Sequence, residues 1–287
     1  MTGSLIPTPP RRRLPAGASD CHMHAYGDAA TYPPATASPF RPVPGGDIES
    51  YRRVQAILGL ERAVVVQPSV YGFDNRATLD AMAALGPDAA RGVAVVPPDV
   101  DDAELERLTA LGVRGIRFFM LGSGVLGWDA LEPLAARVAA FGWHVQLQMD
   151  GRDIAETAPR LARLPGRLVI DHNGKFLAPV PPDHPGVRAI EGLIAAGRTW
   201  VKVSGVYETS REGFPRYGDV AALARRFIAA APERCLFATN WPHPTKPNEL
   251  PDDGHLVDLF AEWCGSDETI RRIVVDNPAE VYGFPPA

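Results

Sequence analysis

Short β-branched runs alternate along this chain with Ala- and Leu-rich segments whose apolar positions recur at helical spacing. The runs lie around Asp20–His24, Ala63–Gln67, Gly92–Val96, Val113–Phe118, His144–Gln148, Leu168–Asp171, Trp200–Ser204 and Cys235–Thr239, and each predicts a strand. Helices are predicted near residues 48–59, 74–85, 101–111, 129–141, 152–163, 186–197, 219–231 and 255–264. Runs such as Ala63-Val64-Val65-Val66 are apolar on both faces, as strands of a buried parallel sheet are. Eight strands alternating with helices predict a single-domain α/β (β/α)8 TIM-type barrel. A doubly wound sheet would place a Gly-rich phosphate turn after its first strand; here that strand ends in His22-Met23-His24. Asp47, Asp101 and Asp219 stand where caps of the first, third and seventh helices belong. Residues 1–15 read as an extended, solvated arm, and residues 16–287 as the barrel. The proline-rich stretch from Tyr26 to Gly46 would lie over the barrel mouth as a lid or pocket wall.

The 287 residues carry 29 basic and 34 acidic side chains, a net charge of −5, with no basic block, so a nucleic-acid partner is not expected. No run of about 18 apolar residues is present, so a membrane span is not expected. The opening MTGSLIPTPPRRR has no apolar stretch behind its charges and does not read as a secretory signal; a cytoplasmic enzyme is the expectation. Cys21, Cys235 and Cys264 are too scattered for a disulfide framework or a thiolate zinc site. Cys21 is expected to point outward from the first strand as a small buried apolar group.

A barrel carries its chemistry at the C-terminal ends of its strands. The first strand ends with His22 and His24, two apart and therefore facing the same side. The second ends near Ser69, the fourth with Arg117, the fifth with Gln146 and Gln148, the sixth with Asp171-His172-Asn173. The seventh carries Lys202 and Ser204, and the eighth runs into Thr239-Asn240-Trp241-Pro242-His243-Pro244. So many polar groups at one end of a buried sheet are unfavourable without a function. Arg117 suits a bidentate carboxylate or sulfonate clamp, with Lys202 as a second positive charge. Tyr26, Tyr32, Tyr71, Phe119, Tyr207 and Trp241 suggest a ring-sized pocket for a small-molecule substrate.

The pieces LPAGASDCHMHAYG, GVRGIRFF, LVIDHNGKF, VKVSGVY, APERCLFATNWPHP and DNPAEVYGF resemble, in order, the amidohydrolase superfamily. Within it they are most similar to the branch of 2-pyrone-4,6-dicarboxylate lactonase, sulfomuconolactone hydrolase and sugar lactonases. The resemblance implies a distorted barrel that opens a lactone in aromatic or sugar-acid catabolism. It also implies that His22, His24 and His172 polarise the carbonyl or ligate metal, and that Arg117 binds a substrate carboxylate. Tyr26, Ser69 and Lys202 match pocket positions, and barrels of this type often pair as homodimers.

His22, His24 and His172 can supply three nitrogens to a single zinc ion with one position left for water. The middle strands offer no bridging carboxylate or lysine, which excludes a two-metal site. Where the family pattern has an aspartate at the end of the eighth strand, this chain has Asn240, a weaker ligand that cannot act as a base. Metal-free catalysis is therefore favoured, with a histidine as base: His172, His22 or His24 first, and His243 as a second candidate. The expectation is hydrolysis of a lactone bearing one acidic group, with Gln148 and His243 beside the substrate. The alternatives are a lactone isomerase, a metal-dependent decarboxylase, or a non-catalytic ligand-binding barrel.

Overall fold

A computed structural model describes residues 4–35, 38–122, 124–246 and 249–285. Residues 36 and 37, within the proline-rich stretch, lie outside the described residues. Eight strands follow one another around one parallel sheet in chain order: β1 (Ser19–Met23), β2 (Arg62–Val66), β3 (Ala90–Ala94), β4 (Val113–Phe119), β5 (His144–Gln148), β6 (Leu168–Ile170), β7 (Thr199–Val203) and β8 (Cys235–Phe237). Closure runs through backbone beyond the ladder. Asn240 N donates to His22 O at 2.8 Å and His24 N donates to Trp241 O at 2.8 Å. The buried Asp20 carboxylate accepts from Thr239 N (3.0 Å), Thr239 Oγ1 (2.6 Å) and Tyr51 Oη (2.9 Å), tying β1, β8 and the first helix together. Burial still wins over these bonds and pushes the Asp20 carboxyl up to about 6.

The helices are α1 (Ile48–Leu58), α2 (Arg76–Leu85), α3 (Asp102–Ala110), α4 (Leu131–Ala139), α5 (Ile154–Leu161), α6 (Pro185–Ala195), α7 (Val206–Thr209), α8 (Gly218–Ala230), α9 (Asp253–Cys264), α10 (Asp267–Arg271) and α11 (Asn277–Tyr282). Asp47 and Asp101 cap as expected, accepting from Ser50 N and Glu104 N at 2.8 Å each. Asp219 does not. It lies inside α8, where its carboxylate gathers Ser210 Oγ (2.5 Å) and Arg211 N (2.7 Å) and so folds the loop ahead of the helix. The arm is pinned rather than solvated. Arg11 pairs with Asp258 of α9 at 2.7 Å, and Trp241 Nε1 donates to Leu5 O at 2.9 Å.

Two apolar layers result. Outward strand residues such as Val65, Ile116 and Val201 pack against the helices, while Val64, Val66, Val93, Val169 and Trp200 fill the barrel with Tyr282 and Phe284. Cys21 belongs to that inner cluster, not to the outer face. The register of β1 shifts between Asp20 and Met23, so consecutive residues there do not alternate strictly. No helix among the described residues is long and apolar enough to cross a membrane.

Candidate active site

The strand ends converge on a small cavity whose walls include His24, Tyr26, Phe40, Ser69, Arg117, Phe119, Gln148, His172, Glu208 and Asn240. A larger groove lies between the arm and α9 and contains none of the strand-end histidines. Position at the strand ends, not size, selects the smaller cavity.

Arg117 is 6% exposed. Its Nη1 donates to Gln67 O at 2.9 Å and its Nη2 to Gln148 Oε1 at 3.1 Å, with Ser69 Oγ at 3.5 Å. Its Nε has no partner, and no carboxylate pairs with the guanidinium among the described residues. A buried cation held only by neutral groups is costly, and an incoming anion relieves that cost.

Under the cavity lies a dry network on the barrel axis. Lys202 is fully buried, with Nζ 2.7 Å from Gln146 Oε1, 3.1 Å from His22 Nδ1 and 3.1 Å from Asp171 Oδ1. Gln146 Nε2 donates in turn to Asp171 Oδ2 at 3.0 Å. His22 Nε2 meets His24 Nε2 at 3.2 Å, and His24 Nδ1 lies 2.7 Å from Val66 O. A carbonyl only accepts, so His24 carries its proton on Nδ1 and receives one from His22 Nε2. His22 Nδ1 is then the acceptor for the Lys202 ammonium. Burial, then the Lys202 charge, holds His22 well below the ordinary histidine value. Burial followed by Arg117 brings His24 down to about 3, and burial brings His172 down to about 4. All three rings are neutral near pH 7.

The sixth strand ends in a sharp turn in which His172, Asn173 and Lys175 have φ of 51°, 55° and 49°. The turn presents the His172 ring to the cavity, and Ser204 Oγ fixes it through Nδ1 at 2.9 Å. Gly205, φ 66°, lets the next loop pass; a Cβ there would stand 3.1 Å from the His172 ring. Glu208, where an arginine would have suited a dianionic ligand, pairs with Lys175 and Thr245. Burial alone would raise its carboxyl, but Lys175 and His172 hold it down at about 2.

His24, His172, Arg117, Tyr26, Ser69, Gln148 and Asn240 thus share the cavity wall. Three expected residues do not. His22 sits behind His24. Lys202 is spent on Asp171 and is no second clamp for substrate. His243 is buried between Tyr207 Oη at 2.7 Å and Asp253 Oδ2 at 3.0 Å, out of reach of a water in the cavity. Of the expected aromatics, Tyr26 and Phe119 line the cavity, while Trp241 packs on Tyr51. Phe40 and Asp253 were not anticipated; Phe40 lies in the stretch after β1 and Asp253 opens α9.

The ligand-capable group that clusters is His22, Asp171 and His172, with donor atoms within 4.8 Å of one another. Asp171 replaces His24, whose two nitrogens are engaged elsewhere. These residues do not fit a divalent ion as the chain stands. The Lys202 amine lies 3.1 Å from both Asp171 Oδ1 and His22 Nδ1, so a cation already fills the space between the donors.

Residues 19–284 match the amidohydrolase family. A D-galactarolactone isomerase of Agrobacterium fabrum is 36% identical, over 98% of this chain and 96% of its own length. A 2-pyrone-4,6-dicarboxylate hydrolase of Comamonas testosteroni is 35% identical, over 96% of this chain and 93% of its own. The crystal structure of an Agrobacterium tumefaciens protein in its apo form superposes with a TM-score of 0.90 at 35% identity, covering 97% of this chain and all of that one. With the barrel, the strand-end histidines and these relatives in agreement, the chain belongs to the amidohydrolase family.

Proposed function

We propose that this enzyme acts on a lactone bearing one acidic group and shifts its acyl bond from one substrate oxygen to another, producing an isomeric lactone. The observation that carries the reading is Asn240 at the cavity, in a neighbourhood where every buried carboxylate is already engaged. Asp171 faces Lys202, Glu208 faces Lys175, Asp253 faces His243 and Asp20 holds Thr239. Hydrolysis ends in a free acid whose proton must be taken up. Transfer to a hydroxyl of the same substrate only moves a proton from the incoming oxygen to the outgoing one. The hydroxyl oxygen bonds to the carbonyl carbon, the ring C–O bond breaks, and the proton ends on the former ring oxygen. His172, neutral and on the cavity wall, carries it between the two. Arg117, the wall cation without a carboxylate partner among the described residues, holds the acidic arm. The unpaired Arg117 charge favours the oxyanion that forms at the ring carbonyl. The Lys202 ammonium supplies the buried positive charge in place of a metal ion.

The relative named D-galactarolactone isomerase supports this reading. The relative named 2-pyrone-4,6-dicarboxylate hydrolase supports a second one, hydrolysis with His172 as base, which the sequence put first. Incubation with D-galactarolactone and with 2-pyrone-4,6-dicarboxylate, followed by NMR and a pH-stat, separates them. A new lactone without acid release supports isomerisation, and one proton per turnover supports hydrolysis. Inertness toward both compounds overturns the proposal.

A further inference from the structure

Asn240 can serve its cavity in only one of two orientations, and a second buried chain selects which. Its Nδ2 lies 2.9 Å from Tyr207 Oη. Tyr207 Oη lies 2.7 Å from His243 Nδ1, and His243 Nε2 lies 3.0 Å from Asp253 Oδ2. The bond directions follow from the far end. A carboxylate oxygen accepts, so His243 bears a hydrogen on Nε2, and in the neutral ring that leaves a lone pair at Nδ1. Tyr207 donates its hydroxyl hydrogen to that lone pair. The phenol oxygen then needs a donor on its other side, and the amide NH2 of Asn240 is that donor. The Asn240 carbonyl oxygen is left without a protein partner among the described residues, on a side chain that lines the cavity. Three elements that the chain brings together only on folding supply this chain: α7, the loop after β8, and the first turn of α9. Asn240 itself has φ 61°, a conformation that asparagine tolerates well, so the backbone does not oppose the placement.

We propose that Tyr207, held by His243 and Asp253, is a positioning residue that locks the Asn240 amide with its oxygen toward the substrate. Asn240 then accepts a hydrogen bond from the attacking hydroxyl and aligns it on the carbonyl, without removing its proton. In the flipped orientation the NH2 would face the hydroxyl and donate to one of its two lone pairs, which makes the oxygen a weaker nucleophile and leaves its hydrogen unheld. This rests on the lactone reading above and adds the specificity element: the attacking group is one that arrives with a hydrogen to donate, held by Asn240 as it aligns and passed to His172 as the new C–O bond forms.

The test has two arms. In protein labelled with 15N-histidine and free of ligand, His243 is expected as the Nε2–H tautomer, with its Nδ1 resonance shifted by Tyr207→Phe. An Nδ1–H tautomer overturns the proposal whatever the substrate is. With D-galactarolactone, Tyr207→Phe is expected to lower kcat roughly tenfold with KM held, about the worth of one hydrogen bond. In the Asn240→Asp background the same change should matter less than about twofold, since two equivalent carboxylate oxygens need no orienting. Equal losses in both backgrounds would make Tyr207 merely structural and overturn the proposal. Should Tyr207→Phe fail to fold, Asp253→Asn, which frees the His243 tautomer and leaves Tyr207 in place, is expected to give the same dependence on background. If wild type turns over no lactone, the lactone reading fails and the tautomer arm still decides the orientation of Asn240.

Discussion

Two buried histidine–aspartate clusters flank the same cavity and work by opposite electrostatics. On the barrel axis, His22 and Asp171 are built around the Lys202 ammonium, with Gln146 bridging the charges. At the rim, His243 and Asp253 end a line of neutral groups, Asn240 and Tyr207, with no ammonium or guanidinium in it. The axis cluster stores charge under the substrate. The rim cluster sets a direction. A charged cluster in a dry interior tolerates no missing member, whereas the neutral links of the rim, Asn240 and Tyr207, are each lost at the cost of one hydrogen bond.

Removing one residue from each is the sharpest contrast. Lys202→Ala leaves Asp171 uncompensated and is expected to destabilise the fold by about 3–5 kcal/mol, against about 1 kcal/mol for Tyr207→Phe, both read from urea midpoints. Zinc should restore part of the Lys202→Ala loss through His22, Asp171 and His172, and should not stabilise wild type. Similar losses for the two variants would erase the distinction. Next in size, Asn240→Asp puts a base at the end of the rim chain and should raise acid release per turnover about a hundredfold, measured by pH-stat. Arg117→Met removes the charge that faces substrate and should raise KM roughly tenfold to a hundredfold with kcat less affected, in steady-state assays.

Acid should weaken the fold through its buried histidines. His24, His172 and His144 have folded values of about 3, 4 and 3, below the ordinary 6.5. Between these limits the unfolded chain binds more protons than the folded one, so stability present above pH 6.5 is lost as the pH falls toward 4. Asp20, raised to about 6, runs the other way between 6 and 3.8, one carboxyl against three imidazoles. Urea midpoints at pH 7, 5.5 and 4.5 should therefore decrease; a flat profile would show that the histidines are not held neutral by burial.

The axis was the more legible of the two clusters. His22, His24, Gln146, Asp171 and Lys202 lie on or directly after strands, where a period of two and a parallel barrel dictate which side chains face inward. Even there the bulge in β1 turned Cys21 inward against the simple alternation. That Lys202 faces Asp171 and not the substrate was not legible, because inward direction says nothing about depth.

The sequence by itself determined the barrel, its order of elements and the residues at its mouth, since hydrophobic period and strand position are local properties written along the chain. The tertiary structure alone decided who pairs with whom. It placed an ammonium among the would-be metal ligands and buried His243 against Asp253. It also turned the amide of Asn240 by way of a tyrosine 33 residues away. Pairing depends on distances between segments remote in sequence, and in a dry interior a shift of one hydrogen-bond length changes which group carries the proton.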